Sequence, residues 1–416
     1  MKILKTSLLI ALCLMAGSTV FAAGQQDSEA TTLTLMLNFQ STEAVTAAFE
    51  EVIADFHSAN PSIKIDLISG TSDYEALMKS KMATNDLPDM WSTHGWSVLR
   101  YSEYLMPLED QEWVSRLHPA IKPVVTDDQG HIYVLPVDVD MAGVAYNKTI
   151  LADAGVKVED LKTWKDLYAA MDKVKAMGVT PVHIGGKDSW TVGNFFDWAA
   201  PAVYVTDPNN YSGDELVNGS FDTDKWEILA GLMKEMNENG YLNVDNLTST
   251  YSDSARALAV GDAAFTFLGN YVLAEAWTFN PKADLGFFPV PAYYEGDSPS
   301  LISGERSTVG IWKDTPNAEA CKTFLDFLAI AENAAKIAGS NGIPAGLIDA
   351  ESDTGKLKAD YIKWADASAF PYFDRAFLPS GMWDTMCSTG AGILSGDMST
   401  EDAAAKMKED FTRMYK

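Results

Sequence analysis

The chain has 416 residues, 47% of them hydrophobic and 21% charged, a globular composition that excludes a disordered or fibrous protein. The length exceeds what one small core fills and suits two lobes of ordinary domain size. A formal net charge of −27 argues against nucleic acid or an anionic membrane surface as a partner, because both repel so acidic a chain.

The first residues read as a leader rather than as fold. Lys2 and Lys5 precede the apolar run Leu8 to Met15, followed by Gly17, Ser18 and Val20-Phe21-Ala22. That is the pattern of a secretory signal peptide over residues 1–22, cleaved after Ala22. The run is too short to span a hydrocarbon core of about 30 Å. Cys13 lies mid-run behind Leu12, which argues against lipid anchoring. Loss of two lysines takes the net charge from −27 to −29, and the mature protein is expected in a periplasm. Cys321 and Cys387 then remain, too few for a disulfide framework, and both are expected free and buried.

Leu33 to Leu37 alternates as a strand. Val45, Phe49, Val52, Ile53 and Phe56 recur at helical spacing behind Ser41 or Thr42 as N-cap, until Asn60-Pro61. Ile63, Ile65 and Leu67 form the next strand, a βαβ opening that predicts parallel pairing. A helix from Tyr74 to Met82 leads to Leu87-Pro88-Asp89-Met90-Trp91, a short strand ending in a loop with His94 and Trp96.

The stretch Asp128 to Lys148 organises the rest. Two apolar runs, Ile132 to Leu135 and the one ending Tyr146-Asn147-Lys148, flank Pro136, Asp138 and Asp140. Strand residues two apart share a face, so both carboxylates should point together into a gap between lobes.

Beyond this crossing, Thr163-Trp164-Lys165-Asp166 is a capping box for a helix to Met177. Val182 to Ile184 is strand-like, and Gly185 to Trp190 is a loop. Helical patterns follow at 195–205, 223–239 and 252–260. Ala263 to Leu268 reads as a buried strand breaking at Gly269-Asn270-Tyr271. Leu285 to Phe288 suggests a return strand to the first lobe, and Thr308 to Trp312 another strand. The remainder is mostly helical: 318–330, 356–364, 381–394, and 400–414 behind Ser399.

No metal site is expected. The five histidines lack HExxH spacing, and neither remaining cysteine sits near one. Asp207-Pro-Asn-Asn-Tyr-Ser-Gly fails as a calcium loop because Asn218, not Glu, takes the twelfth position. Asp138 and Asp140 admit three readings: general acid and base for glycoside hydrolysis, acceptors for sugar hydroxyls, or surface decoration. Trp91, Trp190, Tyr271 and Trp383 lie at or beside strand ends, glycine breaks or loops, whereas core aromatics usually sit inside periodic runs. Flat rings with acceptors nearby suit a polyol ring, whose C–H faces stack and whose hydroxyls need partners.

In order and spacing these motifs resemble the extracellular solute-binding proteins of ABC sugar importers, the group containing maltose-binding protein. The carriers are Leu87-Pro88-Asp89, Tyr104-Leu-Met-Pro-Leu108, Gly130 to Pro136, Ala145-Tyr146-Asn147-Lys148 and Thr163-Trp164. They continue with Val260 to Phe265 before Gly269, Phe288-Pro-Val-Pro291, Gly310-Ile-Trp-Lys313 and Ser395-Gly396. The resemblance implies an α/β, two-lobe periplasmic-binding-protein fold, each lobe a mainly parallel sheet flanked by helices, with hinge crossings. Lobe 1 is expected over 31–139 plus 283–335 and lobe 2 over 140–282 plus 336–416. It also implies a monomeric binder without cofactor that hands a sugar to a transmembrane permease.

By the same resemblance Asp140, six residues before Tyr146, contacts sugar, Tyr271 and Trp383 stack on it, and Trp91 follows Pro-Asp at the contact loop. The first strand–helix loop contributes Asn38, Gln40 and Glu43. His94, Asp138, Trp190 and Asn270 complete the expected ligand-binding set. Relatives often carry an acidic–basic pair where this chain has Thr93-His94-Gly95, which leaves the sugar open. The reading from another class is a secreted glycoside hydrolase or lyase using Asp138 and Asp140. A third keeps the fold and takes a polyamine, a metal chelate or an anion.

Overall fold

A computed structural model describes residues 30–71, 74–93 and 95–415. The expected leader and His94 lie outside the described residues.

The opening strand Thr31–Met36 (β1) and Ile63–Ile68 (β2) pair in parallel, joined by the helix Ala44–Ala59. That helix buries Val45, Phe49, Val52, Ile53 and Phe56, the predicted apolar face. Its N-cap is Glu43, in extended backbone and without a side-chain cap bond, rather than Ser41 or Thr42. Met90–Trp91 (β3) pairs in parallel with β1. The next strands in chain order are Val134–Pro136 (β4), Asp140–Ala142 (β5) and Val144–Asn147 (β6). Then come Thr180–Val182 (β7), Ala263–Thr266 (β8), Leu285–Phe288 (β9) and Ser300–Gly304 (β10). Thr308–Ile311 (β11) and Ser368–Pro371 (β12) complete the set.

These build three mixed sheets, ordered β2-β1-β3-β11-β4, β12-β10-β5 and β7-β8-β6-β9. The expected crossing therefore passes through all three sheets within fourteen residues: β4 ends one sheet, β5 edges the small central sheet, and β6 lies inside the last. Gly143 makes the passage possible, since a Cβ there would lie 2.0 Å from the Phe288 carbonyl oxygen. Trp198 Nε1 donates to the Gly143 carbonyl at 3.0 Å and fixes the turn.

Each lobe has its own apolar core. One gathers Leu33, Leu35, Phe49, Phe56, Trp91 and Trp113 with Val309, Ile311 and Phe324. Phe56 meets Phe324 and Phe327 edge-on at 5.0 and 5.3 Å. The other core centres on Trp164, Phe195, Phe196, Trp226 and Phe267, with Trp164 stacked on Phe267 at 5.6 Å. A satellite cluster packs the helices Tyr251–Val260 and Tyr271–Phe279 together.

The division of the chain differs from the expected one at two places. β9 pairs with β6, and Phe287 and Phe288 pack in the second lobe's cores, so the run at 285–288 is not the return strand. Ile337, Ala345 and Leu347 pack in the first core although 336–416 was expected in the second lobe. Non-local pairing decides both, because an apolar run suits the buried sheet of either lobe. The caps expected at Thr163 and Ser399 are present, the former as a reciprocal capping box. Cys321 and Cys387 are free and buried, and burial pushes both thiols up to about 12. Among the described residues no helix is long and apolar enough to cross a membrane.

Candidate functional site

Asp138 and Asp140 sit on the crossing between the lobes, both fully buried. Residues 137–139 are clamped by the segment behind β4, with Val139 N–H donating to Pro344 O at 3.0 Å and Gly346 N–H to Val137 O at 2.9 Å. Asp138 Oδ1 accepts from Ser307 N–H at 2.7 Å, and Asp140 Oδ2 accepts the Tyr372 hydroxyl. One oxygen of each, Asp138 Oδ2 and Asp140 Oδ1, has no partner among the described residues. Burial pushes Asp138 up to about 6, against the pull of Ser307 and the charge of Arg306, with Asp140 adding repulsion. Burial also raises Asp140, against Tyr372, Arg306 and Arg375. A buried carboxylate oxygen without a donor is costly unless a ligand supplies one.

Three aromatic residues, each the first of a helix, converge nearby. Trp190 opens Trp190–Tyr204, Tyr251 opens Tyr251–Val260 and Tyr271 opens Tyr271–Phe279. Ring centroids are 5.2 Å apart for Trp190 and Tyr251, 6.4 Å for Trp190 and Tyr271, and 6.2 Å for Tyr251 and Tyr271. Asn194 Nδ2 donates to the Tyr271 hydroxyl at 3.2 Å. Asn270 is buried, donates to Met141 O at 2.9 Å and to the Tyr361 hydroxyl at 3.1 Å, and leaves its Oδ1 unpartnered. Trp383 is half-buried against the same helix as Trp190. A Cβ at Gly193 would lie 3.2 Å from Trp383 Cζ2 and 2.7 Å from Cys387 Sγ, so the ring packs directly on the helix backbone.

The first lobe faces this cluster through the loop after β1. Phe39 is buried there, and the guanidinium of Arg306 lies 5.5 Å from its ring and 4.6 Å from that of Tyr271. Glu43, half-buried, belongs to the same loop, and its charge acts on Arg306 and Tyr251. Its Oε1 accepts from Gln40 N–H at 2.7 Å, while the Gln40 side chain is exposed. Asn38 Oδ1 accepts from Ser92 Oγ at 2.7 Å and ties the ends of β1 and β3 together.

Trp91 stands apart from the expected set. It is fully buried in the first core, edge-on to Tyr101 at 6.5 Å, and its Nε1 finds no partner among the described residues. Strand residues beside Pro-Asp look alike in sequence whether they end in a cleft or a core. The structure thus brings together Asp138, Asp140, Trp190, Asn270 and Tyr271, with Glu43 opposite. Phe39, Asn194, Tyr251, Tyr361 and Tyr372 join them unforeseen, and Arg306 lies among them. Each is an ordinary residue in its local pattern, and only the helix N-termini at 251 and 271 could have hinted at convergence.

A second polar cluster fastens the lobes beside the cleft. Asp374, in the helix Phe373–Phe377, accepts from Arg100 Nη2 at 2.9 Å and from Trp96 Nε1 at 3.3 Å. Glu305 accepts from Ser97 N–H at 3.0 Å, Ser97 Oγ at 2.9 Å and Thr93 Oγ1 at 3.2 Å. Arg375 stacks over Tyr372 at 3.9 Å and Trp96 at 5.2 Å and donates to Glu305 O at 2.9 Å. Gly95, at φ +96°, is required on two counts: the left-handed backbone, and a Cβ position 2.2 Å from Arg375 Nη1. Among the described residues no group of three or more His, Cys, Asp or Glu is placed to hold a metal ion.

The family model for bacterial extracellular solute-binding proteins matches residues 40–335. The melibiose/raffinose/stachyose-binding protein MelE of Bacillus subtilis (strain 168) is 31% identical over 391 residues, covering 93% of this chain and 91% of that one. A crystal structure of a Bacillus licheniformis sugar transporter protein in complex with stachyose is 34% identical with a TM-score of 0.84, covering 92% of this chain and 100% of that one. A Bacillus subtilis binding protein solved in an open conformation is 31% identical with a TM-score of 0.85, covering 93% and 98%.

Proposed function

The chain belongs to the bacterial extracellular solute-binding protein family, and from that premise we propose that it captures a galactose-containing oligosaccharide of the melibiose, raffinose and stachyose series. The ligand is held between the lobes and delivered to a transmembrane ABC permease. The observation that carries this reading is the convergence of Trp190, Tyr251 and Tyr271 on buried, unpartnered acceptors at Asp138, Asp140 and Asn270. Rings cover C–H faces, and the acceptors take hydroxyl protons. Glu43 and Phe39 close the site from the first lobe. Lobe limits follow the cores: 31–139 with 305–350 for the first, 140–304 with 351–415 for the second. The protein acts outside the cytoplasmic membrane, as a monomer, after loss of residues 1–22.

Thermal melting with melibiose, raffinose and stachyose tests this. Saturation at about 100 times Kd stabilises the fold by about 2.7 kcal/mol, which for a chain of this size raises Tm by roughly 3 °C. Calorimetry showing no binding of any of the three would overturn the substrate assignment.

The hydrolase reading keeps one supporting observation, the raised Asp138 carboxyl, since a general acid needs such a shift. Its neighbour Asp140 springs from the same crossing segment and is bonded to Tyr372, which does not bracket a scissile bond. New reducing ends from stachyose, abolished by Asp140→Asn, would establish turnover.

A further inference from the structure

Arg306 occupies an unusual position for a cation. It lies in the crossing between β10 and β11, where successive side chains diverge: Glu305 grips Ser97, Arg306 enters the cleft, and Ser307 N–H holds Asp138. Its guanidinium is sandwiched between Phe39 of one lobe and Tyr271 of the other. It thus covers one face of the ring that the sequence assigned to sugar stacking. Its Nε has no hydrogen-bond partner among the described residues. Asp138 and Asp140 meet it through charge alone, since their bonded oxygens face Ser307 and Tyr372.

Among the described residues, the cleft floor therefore holds unpartnered donors at Arg306 Nε and Ser307 Oγ and three unpartnered acceptors, Asp138 Oδ2, Asp140 Oδ1 and Asn270 Oδ1. All three acceptor side chains are fully buried. Two buried carboxylates in a chain of net charge −27 would by themselves draw in any cation of suitable size. A guanidinium cannot lose its proton, and stacking on aromatic faces suits it. A hydroxyl both donates and accepts, which matches this mixed set, whereas an ammonium group only donates and is repelled by the guanidinium.

Resting on the sugar-binding reading above, we infer that Arg306 is the specificity-determining residue of the cleft. Clamped between Phe39 and Tyr271, it balances Asp138 and Asp140 without consuming their free oxygens, so the site takes uncharged polyhydroxylated ligands and rejects protonated amines.

The test compares wild type, Arg306→Gln and Arg306→Lys by calorimetry with stachyose and with galactosamine, at low and high salt. Wild type binds stachyose independently of salt, and galactosamine does not compete. Arg306→Gln binds stachyose at least about tenfold more weakly, the scale of one lost charged hydrogen bond, and gains galactosamine binding that high salt abolishes. Arg306→Lys keeps the preference for the neutral ligand. The double variant Arg306→Gln/Asp140→Asn loses the gained amine binding. The inference fails if galactosamine competes in wild type, or if Arg306→Gln keeps the wild-type affinity and ranking. It also fails if the double variant retains the amine. Should Arg306→Gln not fold, the wild-type competition and the lysine variant decide. Absence of stachyose, raffinose and melibiose binding in wild type would instead defeat the sugar reading itself.

Discussion

Replacing Arg100 by methionine tests whether the fastening beside the cleft belongs to the closed state or to the fold. Arg100 and Asp374 come from different lobes, and their side chains are 9% and 0% exposed, so the pair is shielded from water. Removing one partner of a buried pair costs about 3–5 kcal/mol when the remaining charge stays buried. Here the remaining charge has an escape, because parted lobes let Asp374 reach water. The penalty then falls on the closed conformation. If about 2 kcal/mol of it does so, apparent ligand affinity drops roughly 30-fold, since affinity scales with the population competent to close. Methionine retains part of the packing that Arg100 makes over Trp96 at 4.2 Å, which limits collateral damage. Calorimetry with stachyose gives the affinity, melting of the ligand-free protein gives the fold stability, and X-ray scattering gives the mean separation of the lobes. The expected result is weaker binding and a more extended ligand-free form at nearly unchanged Tm. A large fall in Tm with unchanged affinity would refute the reasoning and make the pair a staple of the fold.

Two further outcomes follow from the same geometry. Trp190→Ala and Tyr271→Ala weaken sugar binding by about 1–3 kcal/mol, by analogy with base–aromatic stacking, while Trp91→Ala leaves affinity alone and destabilises the fold by about 3–5 kcal/mol; calorimetry and urea melts separate the two. Burial, with Asp374 beside it, pushes Asp197 up to about 7. The folded chain therefore keeps a proton that the unfolded chain has lost between pH ~4 and ~7. Its contribution makes stability fall as pH rises through that window, by at most about 1.4 kcal/mol per unit. Asp197→Asn, which still accepts from Asp374 N–H, should flatten urea-melt stability against pH by one proton, and an unchanged slope would contradict the assignment.

Local signals were the legible part of the molecule. The apolar stripe from Val45 to Phe56, the capping box at Thr163 and the paired runs around Asp138 each depend on neighbours within a few residues, and each is present. Assigning β9 to a lobe required knowing that Leu285 meets Asn147, a pairing that leaves no trace in either segment alone. The surroundings of Trp91 are illegible for a related reason, because a two-residue strand has no period from which to read its buried face. The site was half legible. Asp138, Asp140, Asn270 and Tyr271 stand at breaks in pattern. Tyr251 and Phe39 are useful only through what folding sets opposite them, and Arg306 through the two rings that enclose it.

Asp138 and Asp140 lie on the covalent bridge itself, between β4 and β6. A lever moves least at its fulcrum, so if the halves swing about this bridge the two anchors would shift little, while Phe39 and Glu43 on the far jaw would sweep through a wider arc. A guest seated on the stationary pair would then leave the travelling jaw free to sample positions until it, too, made contact.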